Sequence, residues 1–397
     1  MTPPLLRALP TTLVPLRGVV AIPARNEQDR IAGCLRALAE QVGEDGSPLP
    51  PGSFGVLLLA NNCTDRTASV AEAMAPELPF PLRVVEAVLE PARAHVGWAR
   101  RLSLDAAADW ASRASTTPHK AAILGTDADG RVSRGWVQAL LRPLERGHDA
   151  AAGTFRVDER EGERLLPLAT RRRYALEDHY ALLIDQLASL LDPDPDDPWP
   201  RHDTHSGASF ALTVAAYRRI GGLRPCQVCE DRHLFWDLRM QDQRIRHVLD
   251  AEVEVSARLE SRATGGWGDT TRLRVEQPDG IVDARLEPLP MALRRITARR
   301  RARRLWEQVR DAAPLSDAEI RRFCAQVGLM PKVAIGHLFN RVFGSAWAAV
   351  EISSPALQKV DLPPARLDAE IAAAERLLSR MLRAEEDQPM RRSTSSR

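Results

Sequence analysis

The strongest constraint on this chain is an alternation that fills its first 130 residues. GVVAIPA (18–24), FGVLLLA (54–60), LRVVEAV (82–88) and AAILGTD (121–127) are short apolar runs bounded by polar or Pro/Gly-rich stretches. Between them lie helical patterns. RIAGCLRALAEQ (30–41) repeats Ile31, Leu35 and Leu38 at helical spacing, and TASVAEAMA (67–75) and the Ala-rich 93–113 follow the same rule. Unbroken apolar runs of this length suit strands buried on both faces. Strands separated by helices predict an α/β domain with a mainly parallel sheet. Ligands of such sheets bind beyond the carboxyl ends of the strands. The polar clusters PARNE, NNCTD and TDADG all fall at such ends. No GxGxxG follows the first run, which argues against a dinucleotide fold.

After residue 131 the pattern changes. WVQALLRPLERG (136–147) reads as a helix, DAAAGTFRV (149–157) as a strand and RRRYALEDHYALLIDQLASLL (171–191) as a long amphipathic helix. The proline- and acid-rich DPDPDDPWPRH (192–202) must be a loop, and a mobile one is expected. HSGASFALTVAAYRRIGG (205–222) reads as a small-residue turn, a short strand and a helix; CEDRHLFWDLRMQDQ (229–243) is a helix opening with Glu230 and Asp231, and 244–258 is strand-like. The remainder is mostly helical. We expect an N-terminal segment (1–17), one catalytic domain (18–284, with a donor half to about 130 and an acceptor half beyond), a helical extension (285–385) and a disordered polar tail (386–397).

The chain has 397 residues, and 44% of them are hydrophobic, enough for a sizeable core. A formal charge of +2 gives no whole-molecule field that favours nucleic acid. Five cysteines at scattered positions fit a reducing compartment. Cys226 and Cys229 form one CxxC, without the second pair that a structural zinc site needs. With no apolar run of about 18 residues and no clean leader, a cytoplasmic protein is expected. Residues 293–310 carry eight arginines. They read either as a solvated face of a packed helix or as a peripheral contact with a phosphate-rich or acidic-lipid partner.

The stretch ILGTDADGR (123–131) poses a question of charge. In a strand, Asp127 and Asp129 would point to one side and repel. Either a turn separates them or a cation sits between them.

IPARNE, NNCTDRT, TDADG, HSGASF and CEDRHLFWDLR occur in this order. Together they resemble the family 2 glycosyltransferases with the GT-A fold, of the non-processive bacterial type, over about residues 18–260. The resemblance implies a three-layer α/β/α fold and transfer of a hexose-type sugar from a nucleotide-diphosphate sugar. It implies Mn2+ or Mg2+ on Asp127 and Asp129, Asp129 the firmer ligand and Asp127 also near the sugar or ribose. It implies Asp231 as the base that takes the acceptor proton in an inverting reaction, with Glu230 beside it. For the donor it implies Pro23, Ala24, Asn26 and Glu27 after the first strand, and Asn61 with Asp65 after the second. Arg93 is implied to face the nucleotide, with His95, Arg100 and Arg101 as competitors. Ser206 and Gly207 are implied to floor the donor sugar, and His205 to line the acceptor side. Arg258 and Arg262, near Gly265, Gly266 and Trp267, look like a flexible loop closing on the diphosphate.

Processive members carry a Gln-x-x-Arg-Trp motif. QDQRIRHV has Gln243 and Arg246 but His247 in the tryptophan position, so single addition is expected. Two alternatives stay open: a retaining transferase or nucleotidyltransferase on the same fold, and a non-enzymatic module acting through 293–310. The acceptor (lipid, metabolite or glycan), the nucleotide base and the oligomeric state are not readable from these residues.

Overall fold

A computed structural model of the chain describes residues 15–115, 117, 120–263, 265–280 and 282–393, the stretch 385–393 by its backbone alone. Most of the expected N-terminal segment (1–14) and residues 394–397 of the expected tail lie outside the described residues. The chain divides into two compact units. The first comprises Met1–Leu166 with Asp203–Leu273, the second Pro167–His202 with Arg274–Arg397.

The strands are β1 (Gly18–Ala24), β2 (Phe54–Asn61), β3 (Leu82–Ala87), β4 (Ala122–Gly125), β5 (Arg131–Val132), β6 (Ala150–Val157), β7 (Phe210–Thr213) and β8 (Ile245–Val255). They form one sheet in the order β3-β2-β1-β4-β7-β6-β8-β5. β3, β2, β1 and β4 are mutually parallel, as are β6 and β8; β7 and β5 run antiparallel to their neighbours. The helices of this part of the chain are α1 (Ile31–Ala39), α2 (Thr67–Met74), α3 (Val96–Ala114), α4 (Trp136–Glu145) and α5 (Glu159–Leu165). Next come α6 (Leu168–Leu191), α7 (Val214–Arg219), α8 (Glu230–Arg239) and α9 (Trp267–Glu276).

The three layers follow from the two-residue period of a strand. Val19, Ala21, Leu57, Leu59 and Ile123 pack with Leu104, Ala107 and Trp110 of α3. Their neighbours Val20, Ile22, Val56, Leu58 and Leu124 pack on the other face with Ile31 and Leu35 of α1 and Trp136 and Leu140 of α4. Both faces are apolar, so the runs show no alternation, as the sequence led us to expect.

Several boundaries differ from expectation. β4 stops at Gly125, so Thr126–Gly130 lies beyond the strand. α1 begins at Ile31 with Arg30 as its cap residue, so Asn26 does not cap it. Asn26 instead takes the left-handed conformation at φ 55°. α5 and the two-residue β5 were not anticipated, and α9 occupies part of the stretch expected as a flexible loop.

The second unit holds α6, α10 (Leu289–Arg310), α11 (Asp317–Val327), α12 (Pro331–Leu338), α13 (Phe343–Ser353) and α14 (Leu367–Ser393). A boundary at 284/285 was expected, but the chain enters this unit already at 167. The reason is packing: Tyr180, Leu183 and Leu187 of α6 share a core with Leu289, Leu362, Ile371 and Ala374. The acidic loop after α6 is anchored rather than free, because buried Asp192 accepts from Arg299 at 2.7 Å and from Arg303 at 3.4 Å. Arg295 binds Glu287 through two nitrogens at 2.8 and 3.0 Å and also reaches Glu351, Arg301 bonds Gln326, and Arg304 meets Glu319 at 3.2 Å. Much of the arginine-rich helix is thus engaged inside its own unit. No helix among the described residues is long and apolar enough to cross a membrane.

A buried relay joins the layers of the first unit. Trp136 Nε1 donates to Ser209 Oγ at 2.9 Å, and that hydroxyl donates to the Ala251 carbonyl at 2.8 Å. Ser209→Ala leaves the indole N–H without its partner in an apolar layer. We expect a loss of about 1–3 kcal/mol in chemical denaturation, with the larger loss of a cavity mutant absent because little volume is removed.

Candidate active site

The site assembles at the carboxyl ends of β1, β2 and β4. Beyond β4 the chain turns at once, and Gly130 N donates to the Asp127 carbonyl at 3.1 Å. The turn sends the two carboxylates to different partners. Asp127 Oδ1 accepts from Arg100 Nη2 at 2.8 Å, and Asp129 Oδ2 lies 3.1 Å from Arg258 Nη2. A turn therefore separates the charges, and each carboxylate also has a cation of its own.

Arg100 is only 4% exposed and uses all three of its nitrogens. Nε donates to Glu230 Oε1 at 3.0 Å, Nη1 to the Gly207 carbonyl at 2.8 Å and Nη2 to Asp127. A Cβ on Gly207 would lie 2.4 Å from Arg100 Nη2, so the guanidinium needs glycine there. The N–H of the same glycine donates to Asp231 Oδ2 at 2.8 Å, while Asp231 Oδ1 accepts from Arg232 N at 2.7 Å. Glu230 and Asp231 open α8, where a helix N-terminus favours carboxylates. Burial pushes the Glu230 carboxyl above its ordinary range; Arg100 opposes this and Asp231 adds to it.

The second cluster is built on Glu27, which is buried. Its two oxygens accept from Arg258 Nη2 at 2.6 Å and Nη1 at 3.0 Å, a bidentate pair. Arg262 Nε stands 3.8 Å from the same carboxylate. The segment leading into Arg258 is pinned by Glu161, whose Oε2 accepts from Ser256 Oγ and Ala257 N, both at 2.9 Å, while Oε1 meets Arg30 at 2.6 Å. Burial pushes Glu161 up, but these bonds outweigh it and hold its carboxyl down at about 2. Burial pushes Asp129 up to about 6, with the charges of Asp127 and Glu27 adding to it and Arg258 resisting.

The other anticipated residues divide into two groups. Pro23 and Ala24 end β1, and Asn61 is buried at the end of β2. Asn26 Oδ1 accepts from Thr64 N at 2.8 Å and so ties these two strand ends together. Ser206 Oγ accepts from Ala208 N at 3.1 Å and shapes the turn around Gly207. Asp65 instead has a scaffold part. It accepts from Thr67 N and Gln28 N at 3.0 Å each and from Thr67 Oγ1, and the Thr67 hydroxyl in turn accepts from Glu27 N at 2.8 Å. Arg93 is exposed and lies over the Trp98 ring at 4.9 Å; none of its described contacts joins it to the carboxylates. His205 stacks on Phe235 and bonds His247, as treated below.

The residues fit a divalent ion. Asp127 and Asp129 offer the oxygen donors that hard cations take, and the Asp127 side chain is 35% exposed. Burial first, and then the charges of Asp127 and Glu27, raise Asp129, and a bound cation would favour its ionised form.

Residues 19–188 match the family model described as glycosyl transferase family 2. This stretch is a family 2 glycosyltransferase domain. The mainly parallel sheet with helices on both faces is its GT-A fold. The match contains the Asp127/Asp129 turn and Arg100; Gly207, Glu230, Asp231 and Arg258 lie beyond it and join the same cluster by contact. No curated protein matches the chain. Among solved structures it is similar to the mannosyltransferase PcManGT from Pyrobaculum calidifontis, in complex with GDP-Man and Mn2+. Identity there is 17% and the TM-score 0.38, over 95% of this chain and 88% of that one. It is also similar to S. aureus TarS 1–349 in complex with UDP-GlcNAc, at 13% identity and a TM-score of 0.42, over 92% of this chain and 91% of that one.

Arg100 was named only as a competitor of Arg93. A signal was present: Arg100 lies on the stripe Ser103, Leu104, Ala107 and Ala111, all buried in α3. A charge on the core-facing stripe of a helix needs buried partners.

Two outcomes follow for the candidate site. Arg100→Met leaves Glu230 buried without its cation and should destabilise the fold by about 3–5 kcal/mol in urea unfolding. Adding Glu230→Gln should recover part of that loss. Asp129→Asn should act in the opposite direction. The folded carboxyl binds its proton more tightly than the unfolded one, so its ionisation costs stability as pH rises from about 4 to 6. At pH 8 the Asn variant should be more stable by about 3 kcal/mol, and at pH 4 most of the difference should be gone, read by thermal unfolding at both values.

Proposed function

We propose that the chain moves a sugar from a nucleotide-diphosphate sugar to a hydroxyl acceptor, one unit at a time and with inversion at the anomeric carbon. The observation that carries this reading is the bond from Gly207 N to Asp231 Oδ2. Through Gly207 and the buried Arg100 it fixes Asp231 in one network with Asp127.

In this reading Asp231 accepts the acceptor hydroxyl proton as the oxygen attacks the anomeric carbon. The new C–O bond forms as the bond to the nucleoside diphosphate breaks, and the diphosphate leaves with that electron pair. The Gly207 N–H fixes the carboxylate so that its free lone pairs face the acceptor. Arg258 and Arg262 supply positive charge for the leaving diphosphate, and Glu27 holds Arg258 in place. Asp127 and Asp129 would hold Mn2+ or Mg2+, which when bound would neutralise diphosphate charge as a Lewis acid. Asn26, Glu27 and Asn61 frame the nucleoside end beyond β1 and β2. Single addition is supported by His247 standing where processive relatives of this motif have Trp.

A panel of UDP, GDP and TDP sugars, with and without Mn2+ or Mg2+, should show metal-dependent thermal stabilisation by one nucleotide class. Asp231→Asn should keep that donor affinity and lower kcat by about 10²–10⁴-fold. NMR of the first-formed product should show the inverted anomer. A wild-type rate in Asp231→Asn, or retention of configuration, overturns the assignment of the base.

A further inference from the structure

The first unit contains a second group of metal-ligating side chains, apart from the Asp127/Asp129 turn. Asp203, His205 and His247 each present one ligand atom, and these atoms all lie within 4.8 Å of one another. The two imidazole Nε2 atoms are 3.1 Å apart, and Asp203 Oδ1 is 4.0 Å from His205 Nε2. We propose that these three residues bind a Zn2+-class transition-metal ion.

The geometry is close to what such an ion needs. With Zn–N bonds of about 2.0–2.1 Å, tetrahedral ligands stand about 3.3 Å apart. The two imidazoles are already near that separation, and the carboxylate, 4.0 Å from His205 Nε2, has to draw in to complete the set. The rings are held in place beforehand. His247 is 2% exposed on β8, and His205 stacks on Phe235 with centroids 4.4 Å apart and an interplanar angle of 20°. Arg239, at the end of α8, bonds Asp203 Oδ1, as outer partners of metal ligands commonly do.

The donor chemistry sets the class of ion. Two imidazoles and one carboxylate suit Zn2+, Co2+ or Ni2+, whereas the all-oxygen turn at Asp127 and Asp129 suits Mg2+ or Mn2+. Three protein ligands leave a coordination position for water. The ion would tie β8 to the turn beginning at His205, whose Gly207 N–H holds Asp231. It would therefore stiffen the support of the proposed base without being part of the diphosphate site.

The test uses the full chain without a histidine tag, stripped with a chelator and titrated with Co2+. Co2+ in a low-symmetry His2Asp site should give intense visible d–d bands at one equivalent, and Zn2+ should abolish them. An excess of Mg2+ should not. Asp203→Asn and His247→Gln should each weaken Co2+ binding by more than about 100-fold, the upper range for loss of a mere outer-shell partner. Asp129→Asn should leave the bands unchanged. Circular dichroism checks that each variant is folded; because Asp203 is partly exposed, its variant decides the matter if the buried His247 variant does not fold. Absence of the bands, their persistence in Asp203→Asn, or their loss in Asp129→Asn overturns the proposal. None of these readouts depends on sugar transfer.

Discussion

One buried guanidinium organises the candidate site. Arg100 rises from α3, and its three nitrogens each bond a segment that arrives from a different part of the chain: the turn after β4, the turn before β7 and the start of α8. Lysine could not replace it, since a single ammonium on a flexible stem does not present three donors in a fixed plane. The buried position makes the arrangement obligatory as well as specific. A guanidinium at 4% exposure has no water to fall back on, so each partner must be present for the charge to be tolerated. Gly207 is constrained by the same fact from the other side, since any side chain there would meet Arg100.

Around this hub the charges are nearly balanced, but not evenly spread. Arg100 pairs with both Glu230 and Asp127, while Asp129 and Glu27 share Arg258. Burial raises the Asp129 carboxyl, and the charges of Asp127 and Glu27 add to it. A scaffold selected for stability alone would carry an amide there. Keeping the carboxylate costs folding energy and leaves oxygen donors for a cation, the usual exchange at sites built for binding.

The first half of the fold was legible because its information is local. Buried parallel strands and the helices between them leave uninterrupted apolar runs and 3.6-residue stripes that one sequence displays. The end of β4 was not, since the same residues TDADG read equally as strand or turn until Gly130 closes back on Asp127. The same limit explains Asp65. Its place after β2 matched a nucleotide contact, but its two oxygens are engaged by Gln28 and Thr67, one of them 37 residues away in the chain. α6 was assigned to the wrong neighbours for a related reason: an amphipathic stripe states that a helix packs, and not on what.

Arginines make the point most sharply. The eight in 293–310 invite a reading as a surface for anionic partners, yet Arg295, Arg299, Arg303 and Arg304 meet Glu287, Asp192 and Glu319 within their own unit. Arg100, one of three arginines in an alanine-rich helix, attracts no notice by density, yet it joins Asp127, Gly207 and Glu230. What separates them is the position of each on its helix. Those arginines of 293–310 find acids within their own unit, the buried Asp192 and Glu287 among them. A single charge on the buried stripe needs several partners, and those partners must come from segments distant in sequence, because the helix itself has none to offer. The lone charged residue on a core-facing stripe is therefore the better guide to where a chain like this gathers its carboxylates.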